Sequence, residues 1–202
     1  GMDVSAEPES GIDSDPSPDV SDKSGGTPDC PDDDIKPCSL GVTLIGDSVG
    51  IDIAPYLQAY FPNLYVDAKV SRQFSAAKGI AQELIADGSL APVVIIELGS
   101  NGAISESHMR DLIELLHDKK IVFVNIQVPR TWCEGNNETL KKVCAEYDNA
   151  IMADWYGTSL NQNDYFYSDD VHPNETGSPI LAKLIYDTIF KIQLDIPYII
   201  LD

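Results

Sequence analysis

Beyond residue 39 the chain alternates between short apolar runs and longer amphipathic stretches. Three strand candidates, Val42–Ile45, Val93–Leu98 and Ile121–Ile126, hold continuous runs (42–45, 93–96 and 121–124) rich in β-branched residues, as strands buried on both faces do. Leu64–Ala68 and Ala150–Ala153 are shorter candidates of the same kind. Between the runs the spacing predicts helices over about 50–60, 75–86, 105–117, 136–147 and 175–190. In the third, Met109, Leu112, Ile113 and Leu116 follow the i, i+3, i+4, i+7 spacing of a helix with one buried face. Alternating strands and helices predict an α/β fold: a three-layer α/β/α sandwich on a roughly five-stranded parallel sheet, with right-handed connections. No internal repeat is evident.

In a parallel sheet of this kind ligands bind beyond the carboxyl ends of the strands. The chemically interesting residues of this sequence cluster there. The first strand runs into Gly46-Asp47-Ser48, the second into Val70-Ser71-Arg72-Gln73, and the third into Gly99-Ser100-Asn101-Gly102. The fourth is followed by Val128-Pro129-Arg130-Thr131-Trp132, and "YSDDVHPNETG" (167–177) precedes the last helix. Ser48 at a strand-to-helix junction has two readings: a helix N-cap, or a nucleophile lifted off the sheet by a sharp turn. On the tripeptide alone the capping reading prevails, since Gly-Asp-Ser arises by chance in about one chain in twenty of this length.

The whole constellation favours the nucleophile. A serine hydroxyl needs a base to take its proton, and His172 is the candidate, because His108 and His117 fall on the polar face of a predicted helix. Asp169, three residues before His172, can turn back to orient its ring and stabilise the imidazolium, the third role of a triad. Asp170 is the neighbouring alternative. Asp47 reads as a turn-stabilising side chain bonded to its own backbone. Asn101, following a buried strand, could cap the 105–117 helix.

Gly46-Asp47-Ser48, Gly99-Ser100-Asn101 and Asp169-x-x-His172-Pro173, in that order, resemble the blocks of the SGNH (GDSL-type) hydrolase superfamily over residues 40–190. Within it, "DAKVSRQ", "VPRTW", "ADWY" and "YFYSDDVHPNETG" are most similar to the extracytoplasmic domain of peptidoglycan O-acetyltransferases. The resemblance implies a flavodoxin-like sheet and an oxyanion hole made by the backbone N–H of Ser48, a backbone N–H at Ser71 and the side-chain amide of Asn101. It further implies acetylation of a wall glycan, at the C6 hydroxyl of muramic acid, from a small acetyl donor. The chain departs from the pattern at Ser71, where a glycine is usual. The N–H survives that change, but a Cβ narrows the allowed backbone geometry. Arg72, Gln73, Arg130 and Trp132 are the candidate substrate-binding residues. Neither a cofactor nor a metal is called for. A carbohydrate acetyl esterase or lipase-type hydrolase is the second reading, and a catalytically idle glycan-binding domain the third.

Composition adds the setting. Of 202 residues 43% are apolar, enough for one well-packed domain. The balance of 13 basic against 33 acidic residues excludes a nucleic-acid binder, which needs a basic face. The acidity is uneven: residues 1–39 hold 11 of the acids and 2 of the bases. Residues 1–38 are rich in Ser, Pro, Asp and Gly and nearly empty of large apolar side chains, so they cannot offset their own ordering entropy. They read as an acidic stalk before a domain at 39–190, with an apolar extension of unassigned role at 191–202. No signal peptide or apolar run of spanning length is present, and Gly1 in place of an initiating Met suggests a missing upstream segment. The resemblance implies an extracytoplasmic domain tethered by the stalk to a membrane acyltransferase part. Cys30, Cys38, Cys133 and Cys144 lack zinc or redox spacing, and their even number beside a stalk points to disulfides. Cys30 with Cys38 flank a short loop; Cys133 with Cys144 flank a predicted helix and would need the chain to fold back. Free buried thiols are the alternative.

Overall fold

The computed structural model describes residues 36–192 and 200–201. Five strands, β1 (Val42–Gly46), β2 (Leu64–Ala68), β3 (Val93–Glu97), β4 (Lys120–Val124) and β5 (Ala150–Ala153), form one sheet in the order β2-β1-β3-β4-β5, every pair parallel. Every residue of β1 and β3 is buried, as expected of strands covered on both faces. At the edge, β2 leaves Tyr65 and Val66 exposed.

Successive strand residues point to opposite faces, and each face has its own helices. Val42, Leu44, Val93, Ile95, Val122 and Val124 pack under α1 (Ser48–Tyr60) and α6 (Gly177–Ile189). Ile45, Val94, Ile96, Ile121 and Phe123 pack under α2 (Ala77–Ala86), α3 (Glu106–Leu115) and α4 (Cys133–Cys144). A short α5 (Trp155–Ser159) follows β5. This is the three-layer sandwich that the apolar pattern predicts. The strand register matters for function: Gly46 lies level with Ala68 on one side and Glu97 on the other. The loops leaving β1, β2 and β3 therefore emerge together at one end of the sheet.

Several element boundaries shift by one to three residues from expectation, and at β4 the cause is visible. β4 stops at Val124 rather than Ile126 because side chains replace sheet partners there. Asn137 Oδ1 accepts the Ile126 N–H at 2.9 Å and its Nδ2 donates to the Ile126 carbonyl at 2.8 Å. α4 runs from Cys133 to Cys144, beginning and ending three residues before the expected bounds.

Cys133 and Cys144 are separate thiols. As the two ends of α4 they are about 16 Å apart along the helix axis, while a disulfide spans at most about 7 Å between Cα atoms. The expected pairing is thereby corrected. Burial pushes the Cys144 thiol up to about 12, so it stays protonated at neutral pH. Cys30, most of the acidic stalk and residues 193–199 lie outside the described residues. Packing reaches back at least to Cys38, which is buried and donates its N–H to the Tyr60 carbonyl at 2.9 Å. Cys38 also forms an antiparallel bridge with Ile200.

Candidate active site

The turn after β1 bears on the two readings of Ser48. Asp47, not Ser48, caps α1: its Oδ1 accepts the Val49 N–H at 2.9 Å. Relieved of capping, the hydroxyl of Ser48 lies 2.9 Å from His172 Nε2. On the other side of the ring, His172 Nδ1 is 2.6 Å from Asp169 Oδ2. The second oxygen of Asp169 accepts the backbone N–H of Val171 at 2.9 Å and of His172 at 3.0 Å. Burial raises the Asp169 pKa, but hydrogen bonds from the His172 backbone and ring and from Val171 outweigh it and hold the carboxyl at about 2. The carboxylate is therefore ionised and oriented at neutral pH, and it favours the tautomer with the proton on Nδ1, leaving Nε2 to accept from Ser48.

The loop carrying His172 is rigidly built. Pro173 pairs with Phe166 in an antiparallel bridge, and the Tyr167 N–H donates to the His172 carbonyl at 2.9 Å. Asn174 Nδ2 donates to the carbonyls of Asp164 (2.9 Å) and Phe166 (3.0 Å), while its Oδ1 accepts the N–H groups of Thr176 and Gly177 where α6 starts. Asp170 takes no part. With φ +56 it turns away and lines a separate cavity with Gln127, Pro129 and Phe166. His108 and His117 are exposed on α3 and just after it.

The loop after β3 delivers Asn101. Its Nδ2 donates to Asp47 Oδ2 at 2.9 Å and, by a long bond of 3.3 Å, to the Arg72 carbonyl. Asn136 of α4 pins this loop: its Nδ2 donates to the carbonyls of Gly99 (3.1 Å) and Gly102 (2.9 Å), and its Oδ1 accepts the Ile104 N–H at 2.7 Å. Gly99 has φ +142, and a Cβ there would meet Ile104 at 3.1 Å. Asn101 does not cap α3, whose N-cap is Ser105. Ser71 adopts φ +61, the left-handed conformation that favours glycine. The chain thus keeps the backbone path of a glycine with a serine in place.

Ser48, Ser100, Asn101, Arg130, Trp132, Asp169, Val171 and His172 line one cavity of about 280 Å³. Two expected substrate contacts stand elsewhere. The Arg72 guanidinium is spent on the Gly46 carbonyl (3.1 Å), the Asp67 carbonyl and the Asp67 carboxylate (2.6 Å), so it braces the ends of β1 and β2. The Gln73 side chain lies beside Gly102, outside the cavity lining. Arg130 and Trp132 do line it, the first exposed and the second half-buried.

Comparison with solved structures gives a TM-score of 0.70 to the C-terminal catalytic domain of peptidoglycan O-acetyltransferase A from Streptococcus pneumoniae, at 20% identity over 77% of this chain and 95% of that one. A carbohydrate esterase family 3 protein from Talaromyces cellulolyticus superimposes with a TM-score of 0.61 at 15% identity, covering 78% of this chain and all of that one. The fold is that of the SGNH hydrolases. In sequence the chain is 33% identical over 174 residues to peptidoglycan O-acetyltransferase OatA of Listeria monocytogenes, and 33% identical over 158 residues to O-acetyltransferase OatA of Staphylococcus aureus. These matches cover 86% and 78% of this chain but only 27% and 26% of the relatives. The chain thus spans about a quarter of their length. No family model matches it.

Within this SGNH frame, three residues escaped the sequence reading: Asn136, Asn174 and Glu97. Asn136 carried a signal, being a polar residue in the apolar stripe of Cys133, Leu140 and Val143. Asn174 sat inside a quoted motif with no separable role. Glu97 ends an otherwise apolar run and is 2% exposed.

Proposed function

We propose that this domain transfers an acetyl group, through an acetyl-serine intermediate on Ser48, to a hydroxyl of the bacterial wall glycan. The observation that carries the reading is the continuous hydrogen-bond chain from Ser48 Oγ through His172 to Asp169, at 2.9 and 2.6 Å. The names of the sequence relatives supply the substrate class.

As Ser48 Oγ attacks the donor's acetyl carbon, its proton moves to His172 Nε2. The resulting imidazolium is stabilised by the Asp169 carboxylate. The carbonyl oxygen becomes an oxyanion facing the N–H groups of Ser48 and Ser71 and the amide of Asn101. The long Asn101–Arg72 bond is the one such an anion can draw away, because charge-assisted bonds are roughly twice as strong as neutral ones. Collapse expels the donor's leaving group, which takes the proton from His172. An acceptor hydroxyl then gives its proton to Nε2 and attacks the acetyl carbon; collapse breaks the ester bond to Ser48, and Nε2 returns the proton to Ser48 Oγ.

Trp132 suits a sugar face, and exposed Arg130 suits the lactyl-linked carboxylate or peptide of muramic acid; the C6 hydroxyl of that residue is the expected acceptor. The domain would work outside the cell, tethered through the acidic N-terminal stalk to a membrane acyltransferase part. One observation favours esterase chemistry as a second reading: the His172 side chain is 33% exposed, so water can reach the intermediate.

Acceptor competition separates the two. Water stands at roughly 55 M, and only oriented binding, with effective molarities of about 10⁵ M or more, lets a sugar hydroxyl prevail. Muro-oligosaccharides added to enzyme turning over an activated acetyl ester should divert flux from free acetate into acetylated glycan, read by mass spectrometry. Chitooligosaccharides should do so less well, and Trp132→Ala should reduce transfer more than hydrolysis. Unchanged acetate release with no acetylated sugar would leave the esterase reading.

A further inference from the structure

β3 ends in a carboxyl group that the chemistry above does not use. Glu97 is 2% exposed, and its neighbours are shaped around it. A Cβ on Gly50 would come within 3.2 Å of Glu97 Oε2 and one on Gly46 within 3.5 Å. Two glycines, at the end of β1 and in the first turn of α1, thus make room for a carboxyl in the middle of an apolar sandwich. Oε2 accepts the Asp47 N–H at 3.4 Å.

The carboxyl groups of Glu97 and Asp47 interact directly, and burial together with their mutual charge disfavours ionising both. Two ionised carboxylates have only acceptors, so one of the pair holds a proton. Burial raises both groups, but Asp47 also receives the Val49 N–H and the Asn101 amide, which favour its ionised form. Burial, then the charge of Asp47, push Glu97 well above the ordinary carboxyl range. The shared proton therefore belongs to Glu97.

That assignment has a consequence for Asn101. An amide offers donors at one end and an acceptor at the other, and only the donor end stabilises an oxyanion. An ionised Asp47 accepts only, so it must face Nδ2. A protonated Asp47 could equally donate to Oδ1 and let the amide turn over. We propose that Glu97 is a positioning residue for the oxyanion donor: its carboxyl hydrogen pins the Asp47 carboxylate, which fixes the end of the Asn101 amide presented to the acyl oxygen. The proposal rests on reading Asn101 as that donor.

The test is a double-mutant cycle read by acetate release from 4-nitrophenyl acetate, which is independent of the acceptor. Glu97→Leu should lower kcat by about 10- to 100-fold, a fraction of the loss expected from removing a whole oxyanion donor, with KM within about twofold. Glu97→Gln keeps the shape and supplies an N–H to Asp47, and should stay within about threefold of the parent. In an Asn101→Ala background, Glu97→Leu should cost less than about twofold more, because both changes remove the same interaction. Equal losses from Glu97→Leu in the two backgrounds would overturn the relay, as would a Glu97→Gln variant as impaired as Glu97→Leu. Parent-like turnover in Asn101→Ala alone would remove the oxyanion reading and the proposal with it, and that variant reports it separately. Should Glu97→Leu fail to fold, Asp47→Asn probes the same relay: it keeps a capping oxygen for Val49 but sets an amide against Asn101. It should lose kcat non-additively with Asn101→Ala, and a parent-like Asp47→Asn would overturn the proposal.

Discussion

Asp169 and Asp170 are adjacent, chemically identical and set to different tasks by one backbone angle. The left-handed φ of Asp170 swings its side chain to the far side of the loop, and Asp169 is left facing the imidazole. Asp169→Asn should lower kcat by about 10³- to 10⁴-fold, since the amide favours the wrong tautomer, whereas Asp170→Asn should stay within a few-fold. The reverse ranking would move the assignment by one residue. Asp169 also binds its proton more weakly in the folded chain, at about 2 against the ordinary 3.8. Its stabilising contribution is therefore full above about pH 4 and lost as the pH falls towards 2. The difference in Tm between the parent and Asp169→Asn should shrink across that window, and a difference that persists at pH 2 would argue against an ionised Asp169 as its source. Ser48, His172 and Asp169 were legible in the sequence because a triad imposes residue types and a local spacing. Arg72 was misread as a substrate contact because nothing local in "VSRQ" shows that its guanidinium turns back onto Asp67 and Gly46.

Elements were readable where burial repeats regularly. β2 and β5 stand where the apolar runs place them, and α3 follows its i, i+3, i+4, i+7 stripe. The reading failed where side chains replace the regular pattern. β4 ends early because Asn137 takes over its ladder, and α5 is a single capped turn, held by the Asp154 side chain accepting the Gly157 N–H, too short to show a period. At the start of α6, packing leaves no space at all. A Cβ on Gly177 would stand 2.1 Å from the Tyr165 carbonyl oxygen, in the loop that also holds Asn174. Gly177→Ala should therefore lower Tm and, by shifting the His172 loop, lower kcat together with it. A variant with parent-like melting and turnover would show that this helix start is not what positions His172.

At the scale of the molecule, an all-parallel sheet with level strand ends brings together residues as far apart in sequence as Ser48, Asn101 and His172. The alternation of apolar runs implied that architecture, and the candidate site residues became legible because each follows a strand or precedes the last helix. What the pattern could not show is the buried polar scaffold of Glu97, Asn136 and Asn174, whose partners lie in other elements. Acyl transfer, as proposed, passes through Ser48. This is tested most directly by mass spectrometry of protein quenched during turnover of an activated acetyl ester. One acetyl group should map to Ser48, disappear when a glycan acceptor is chased in, and be absent from Ser48→Ala, whose turnover should fall by about 10³-fold or more. An acetyl group on another residue, with Ser48→Ala still turning over at the parent rate, would contradict it.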